Sequence, residues 1–95
     1  MKTVKVVISG HVQGVGFRQF IKQNALKVGV RGWIRNSGSK EVVGVFQGEV
    51  SAIDDLIAAC RKGPMLSKVK DVTVFELDSS VEKFEDFEVL KTISS

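Results

Sequence analysis

Residues 8–18, Ile8-Ser9-Gly10-His11-Val12-Gln13-Gly14-Val15-Gly16-Phe17-Arg18, join a strand-like opening, closely spaced glycines and an arginine at the head of a helical pattern. That order suits an anion site. Gly14 and Gly16 permit positive φ or a close backbone approach, so successive N–H groups can converge on one oxygen-rich group. Arg18 adds a planar, permanently charged fork. The loop lacks the Gly-Lys-Ser/Thr ending of a nucleotide P-loop, and Gln19 stands where a dinucleotide fingerprint has its third glycine. The ligand implied is a single phosphoryl group. A tight strand-to-helix turn explains the glycine pair equally well without a ligand. Arg18 tips the balance, because a cation in the first helical turn opposes the helix dipole unless an anion is held there.

Other residues with chemical potential are weaker candidates. Asn36, ahead of Ser37-Gly38, is ordinary turn chemistry by itself, yet a carboxamide donates and accepts together, as holding a water against phosphorus requires. His11, the only histidine, has to be weighed as an acid or a phosphohistidine and is placed at the periphery. Cys60, the only cysteine, lies on an apolar helix face and reads as a small buried hydrophobe. Glu41, Asp54 and Asp55 read as solvated charges, and Trp33 and Phe46 as sheet-surface or core aromatics. No His, Cys or carboxylate cluster has metal-ligand spacing, so no metal is expected.

Elements must position these groups. Val4, Val6 and Ile8 alternate with Lys5, Val7 and Ser9, predicting a first strand that ends near His11. Phe17, Phe20, Ile21, Ala25 and Val28 recur at spacings of three and four, predicting a helix over 18–28 that stops at Gly29. Residues 30–36 and 41–47 read as a hairpin around Ser37-Gly38-Ser39, closed by Gly48. A second helix comes next, with Ser51 as its expected cap and Ile53, Leu56, Ile57 and Cys60 as its face, before Gly63-Pro64 ends it. Residues 69–77 predict a fourth strand, 78–85 a polar acidic segment, and Phe87 with Val89 a short terminal strand.

The order β-α-β-β-α-β with an extra C-terminal strand implies an α+β, ferredoxin-like two-layer sandwich with a mainly antiparallel sheet and both helices on one face. A crossover helix joins the first two strands, which makes them run the same way and puts Asn36 at the sheet end that carries the glycine turn.

Composition bounds the class. The 95 residues, 43% hydrophobic and 26% charged, suit one domain spanning 1–95. No apolar run approaches the roughly 20 residues of a membrane span, and the start shows no signal-type apolar core, so a cytoplasmic protein without a membrane partner is expected. A lone cysteine excludes an internal disulfide. Residues 1–75 hold 12 Lys/Arg against 5 Asp/Glu, and residues 76–95 hold 2 against 6, so anions favour the first three quarters.

The chain resembles the acylphosphatase family. Its first signature, apolar-x-Gly-x-Val-Gln-Gly-Val-x-Phe-Arg, is met from Ile8 to Arg18, and Gly32-Trp33-Ile34-Arg35-Asn36 answers the second, with Val42 and Gly48 also in place. Ile34 is bulkier than the usual residue, and Lys40 stands where the family has glycine. The resemblance covers essentially the whole chain, including Gly63-Pro64 and Phe87-x-Val89. It implies the ferredoxin-like fold, hydrolysis of acyl phosphates to a carboxylate and inorganic phosphate, and no cofactor. By position it gives phosphate binding to Arg18 and to the backbone N–H groups of Gln13, Gly14, Val15, Gly16, Phe17 and Arg18, and orientation of the attacking water to Asn36. A monomer without a nucleic-acid partner is expected.

Two rivals differ in class. Gly14, Gly16, Phe17 and Phe20 coincide with an RNA-recognition pattern, but that pattern needs its rings on the open face of a strand, whereas these two belong to a helix stripe. A non-catalytic anion-binding accessory keeps the fold and cradle. Retention of both Arg18 and Asn36 argues against it.

Overall fold

A computed structural model describes residues 1–78 and 82–91. The elements run β1 (Lys2–His11), α1 (Phe17–Val28), β2 (Arg31–Ser37), β3 (Glu41–Gly48), α2 (Val50–Lys62), β4 (Lys68–Glu76) and β5 (Phe87–Val89). They build the expected ferredoxin-like sandwich, with the strands ordered β4-β1-β3-β2-β5. β1 and β2 each pair antiparallel with β3, so they run parallel to one another. β4 pairs antiparallel with β1, and β5 is the one parallel addition, against β2.

Period-two alternation decides which face is buried. Val4, Val6 and Ile8 are fully buried, and their partners Phe46, Gly44 and Val42 lie on the same face of β3. α1 covers that face with Phe17, Ile21 and Ala25, and α2 with Ile53, Leu56 and Cys60. Phe20 and Val28 sit half-buried at the margin of the α1 stripe. Phe46 meets Phe87 of β5 with ring centroids 5.9 Å apart, which docks the terminal strand onto the core. Each fully buried large apolar side chain contributes about 1.5–3 kcal/mol.

Several boundaries shift for local reasons. α1 begins at Phe17 because Gly16 takes the capping position in a left-handed conformation and its carbonyl accepts the Phe20 N–H at 3.0 Å. Ser51 is not the cap of α2. β3 runs through Gly48, leaving Glu49 as the sole connector, and Glu49 O accepts from Ile53 N at 3.0 Å, so Ser51 falls inside the first turn. In β4, Lys70 is an extra residue between the pairs Ser9↔Asp71 and Gly10↔Val69. That bulge lets Val69 and Val72, three residues apart, both pack on the core. Of the acidic segment, residues 79–81 lie outside the described residues.

Gln47 anchors the return from β4 towards β5. Its amide nitrogen donates to Thr3 Oγ1 and to Glu82 O, each at 3.1 Å, and its oxygen accepts from Phe84 N at 3.0 Å. Residues 82–84 are thereby tied to β3.

Burial pushes the Cys60 thiol from its ordinary 9.0 up to about 12, with Arg61 pulling weakly the other way. Between those two values the unfolded chain gives up a proton that the folded one retains, so this group's support for the fold is complete below pH 9 and declines as pH rises beyond it. Cys60 is expected to resist a thiol reagent at pH 8 in the native protein and to react once denaturant is added. Fast modification of the native protein would contradict its burial.

Candidate active site

The cradle loop grows directly from β1. After His11 the chain leaves the sheet, and Gly14 at φ 72° and Gly16 at φ 76° turn it into α1. Both angles are left-handed, which L side chains rarely adopt. An added Cβ would meet nothing within 4 Å at either position, so backbone conformation alone calls for glycine there. No acidic residue lies in the first turn of α1, and no side chain caps it. Its leading amides present the positive end of a helix dipole.

Arg18, in that first turn, is held from the β5 edge of the sheet. One guanidinium nitrogen donates to Leu90 O, just past β5, at 3.3 Å. The parallel pairing of β5 with β2 puts that carbonyl there, and Leu90 N in turn donates to Ile34 O at 2.8 Å. A guanidinium carries five donors, so this bond orients the fork without exhausting it.

Asn36 pairs with Val42 and lies on the helix-facing side of β2, 7% exposed. It lines one small cavity together with Gly14, Gly16, Phe17 and Arg18. Val12, Gln19 and Val89 complete the lining. The topology therefore brings the loop, the arginine and the carboxamide around one space, as the parallel β1 and β2 require. That space measures about 110 Å³. It falls well short of the roughly 300–1,000 Å³ of pockets that enclose drug-sized ligands. The scale is that of a phosphoryl group.

Gln13 and Val15 are not among the lining residues. The Gln13 side chain instead reaches the β2–β3 hairpin, donating to Gly38 O at 3.1 Å and to Glu41 O at 2.9 Å. His11 and Lys40 line a separate hollow on the outer wall of the loop, with Lys70 and Asp71. Glu41, Asp54 and Asp55 are exposed. Trp33 is half-buried on the opposite face of the sheet, with the Arg35 guanidinium 4.7 Å from its ring centroid. Phe17 is 1% exposed inside α1, so the rings of the RNA-like pattern form no stacking platform. Val12 and Val89 stood in the family patterns without a role in the site, and the Leu90 carbonyl carried no sequence signal, since a backbone group acquires its role only from the tertiary arrangement.

A strand–glycine loop–helix turn with an arginine in the first helical turn, set on a ferredoxin-like sandwich, defines a small α+β domain with a candidate anion site. Comparison with known proteins narrows that class. The acylphosphatase family model matches residues 4–89. An acylphosphatase of Methanocella arvoryzae is 42% identical over 78 residues, covering 82% of this chain and 89% of the relative. The crystal structure of acylphosphatase from Bacillus subtilis superposes with a TM-score of 0.90 at 32% identity, covering 95% of this chain and 99% of that one. That of an acylphosphatase from Coxiella burnetii gives 0.86 at 32% identity, over 94% and 92%. The chain belongs to the acylphosphatase family, whose activity is the hydrolysis of acyl phosphates.

Gly16→Ala is expected to keep the fold but to lower stability in denaturant unfolding by about 1–2 kcal/mol, the cost of a left-handed L residue. An unchanged midpoint would contradict the left-handed cap.

Proposed function

We propose that the N–H groups of residues 13–18 and the Arg18 guanidinium hold the phosphoryl group of an acyl phosphate, while the Asn36 carboxamide orients the attacking water. The observation that carries this reading is the single small cavity bounded by the glycine loop and Arg18 on one side and by Asn36 on the other. Left-handed Gly14 and Gly16, together with a helix start that no side chain caps, support the loop as an anion cradle.

The chemistry asks little of the protein. The water oxygen attacks phosphorus as the bond from phosphorus to the acyl oxygen breaks, and the electron pair departs with the carboxylate. A carboxylate is a weak base, so no general acid has to protonate it. The water's proton passes to a phosphate oxygen of the substrate. Catalysis then reduces to positioning and charge stabilisation. Cationic and N–H donors match the charge that spreads over the phosphoryl oxygens, and a carboxamide accepts from the water while donating to the phosphoryl group. Residues 1–95 act as one domain in this reading, and the described elements contribute to one core.

Hydrolysis of benzoyl phosphate by wild type, Arg18→Ala and Asn36→Ala is the direct test. Both variants are expected to stay folded and to lose most activity. Arg18→Ala should also weaken inhibition by inorganic phosphate, whereas Asn36→Ala should chiefly lower kcat. Full activity in either variant would remove the role assigned to it.

A further inference from the structure

The phosphate cradle and Asn36 belong to different segments, and the regular ladder between those segments stops short of the site. β1 pairs with β3 as far as Ser9↔Glu41, and one more bond runs from Gly10 N to Lys40 O at 3.1 Å. His11 still pairs with Lys68 of β4, and after it the chain leaves the sheet as the loop that lines the cavity, with no strand pairing to hold it against the hairpin.

Gln13 bridges that gap. Its amide nitrogen donates to Gly38 O at 3.1 Å and to Glu41 O at 2.9 Å. Two donors for two carbonyls leave the amide one orientation. The acceptors lie at either end of the hairpin turn, since β2 ends at Ser37 and β3 begins at Glu41. Asn36↔Val42 is one step inside the last pair of that hairpin, Ser37↔Glu41. Gln13 thus grips the first residue of the turn and the first residue of β3, close beyond the residue that faces the cavity, while its own side chain stays outside the lining.

We propose that the Gln13 side chain is a positioning residue, which laces the cradle loop to the β2–β3 hairpin and so sets the separation across which Asn36 acts on the held phosphoryl group. The proposal rests on the hydrolytic reading of the cavity. Its function is distinct from that of the Gln13 main chain, whose N–H belongs to the cradle and survives any side-chain substitution. A displacement of about 1 Å between reacting groups costs on the order of a hundredfold in rate, so loss of the lacing acts on turnover.

The test is a double-mutant cycle on benzoyl phosphate with Gln13→Ala, Asn36→Ala and the double variant, with inhibition by inorganic phosphate measured for each and folding checked by circular dichroism. Gln13→Ala should lower kcat by about ten- to a hundredfold while its phosphate inhibition constant stays within about twofold. In the Asn36→Ala background the same substitution should cost less than about twofold, because Gln13 acts through the missing carboxamide. Gln13→Glu keeps the shape without the donors and should match Gln13→Ala at neutral pH. It alone should recover turnover on acidification, when a protonated carboxyl regains an O–H donor.

Full turnover in Gln13→Ala, additive losses in the cycle, or a parallel collapse of phosphate affinity would each overturn the proposal. Wild type that fails to hydrolyse the substrate would remove the hydrolytic reading and this inference with it. Wild-type hydrolysis with an indifferent Gln13→Ala would remove the inference alone.

Discussion

β3 pairs antiparallel with both of its neighbours, and the placing of the site is inherited from that pairing. Because β1 and β2 each oppose β3, their C-terminal ends emerge at one edge of the sheet. The register then fixes the lateral row Ile8–Val42–Asn36, about 10 Å across at normal strand spacing. A glycine loop leaving β1 and a carboxamide at the end of β2 meet there without any long-range loop having to find its place. Ladder hydrogen bonds and a buried apolar face supply rigidity there, while in the proposed reading the loop contributes only donors.

The site is economical because the hard parts are delegated. Arg18, in the first turn of α1, is steadied by the backbone carbonyl of Leu90, just past β5. A first-turn arginine is a cost to the bare helix. In the proposed reading a bound phosphoryl group turns that cost into stabilisation. In that reading the small cavity takes the phosphoryl end alone, which fits a reaction whose leaving group needs no assistance. Gln47, remote from the site, serves it through the anchored return to β5.

Much of this architecture was legible in the residues. Alternation in Val4, Val6 and Ile8, three-four spacing from Phe17 to Val28, and Ser-Gly turn chemistry led to the fold because each pattern reports which side chains meet the core. The parallel relation of β1 and β2 came from the crossover helix that joins them, and with it the nearness of Asn36 to the loop. Ser51 misled because a capping residue is recognised by its type, whereas the helix start was decided by how far β3 extends. The bulge at Lys70, the grip of Leu90 on Arg18 and the Gln13 bridge were out of reach. Each depends on a backbone carbonyl brought close by tertiary structure, and backbone carbonyls are the same at every residue.

The proposed chemistry stands or falls with the main-chain amides after β1 holding a phosphoryl group. Titration of the ¹⁵N-labelled protein with inorganic phosphate, read through amide chemical shifts, reports on those amides one by one. The largest saturable shifts are expected at Gly14, Gly16, Phe17 and Arg18, all with one dissociation constant. Amides there that stay still, with the largest shifts at His11, Lys40 and Lys70 on the outer wall of the loop, would show that phosphate is held elsewhere.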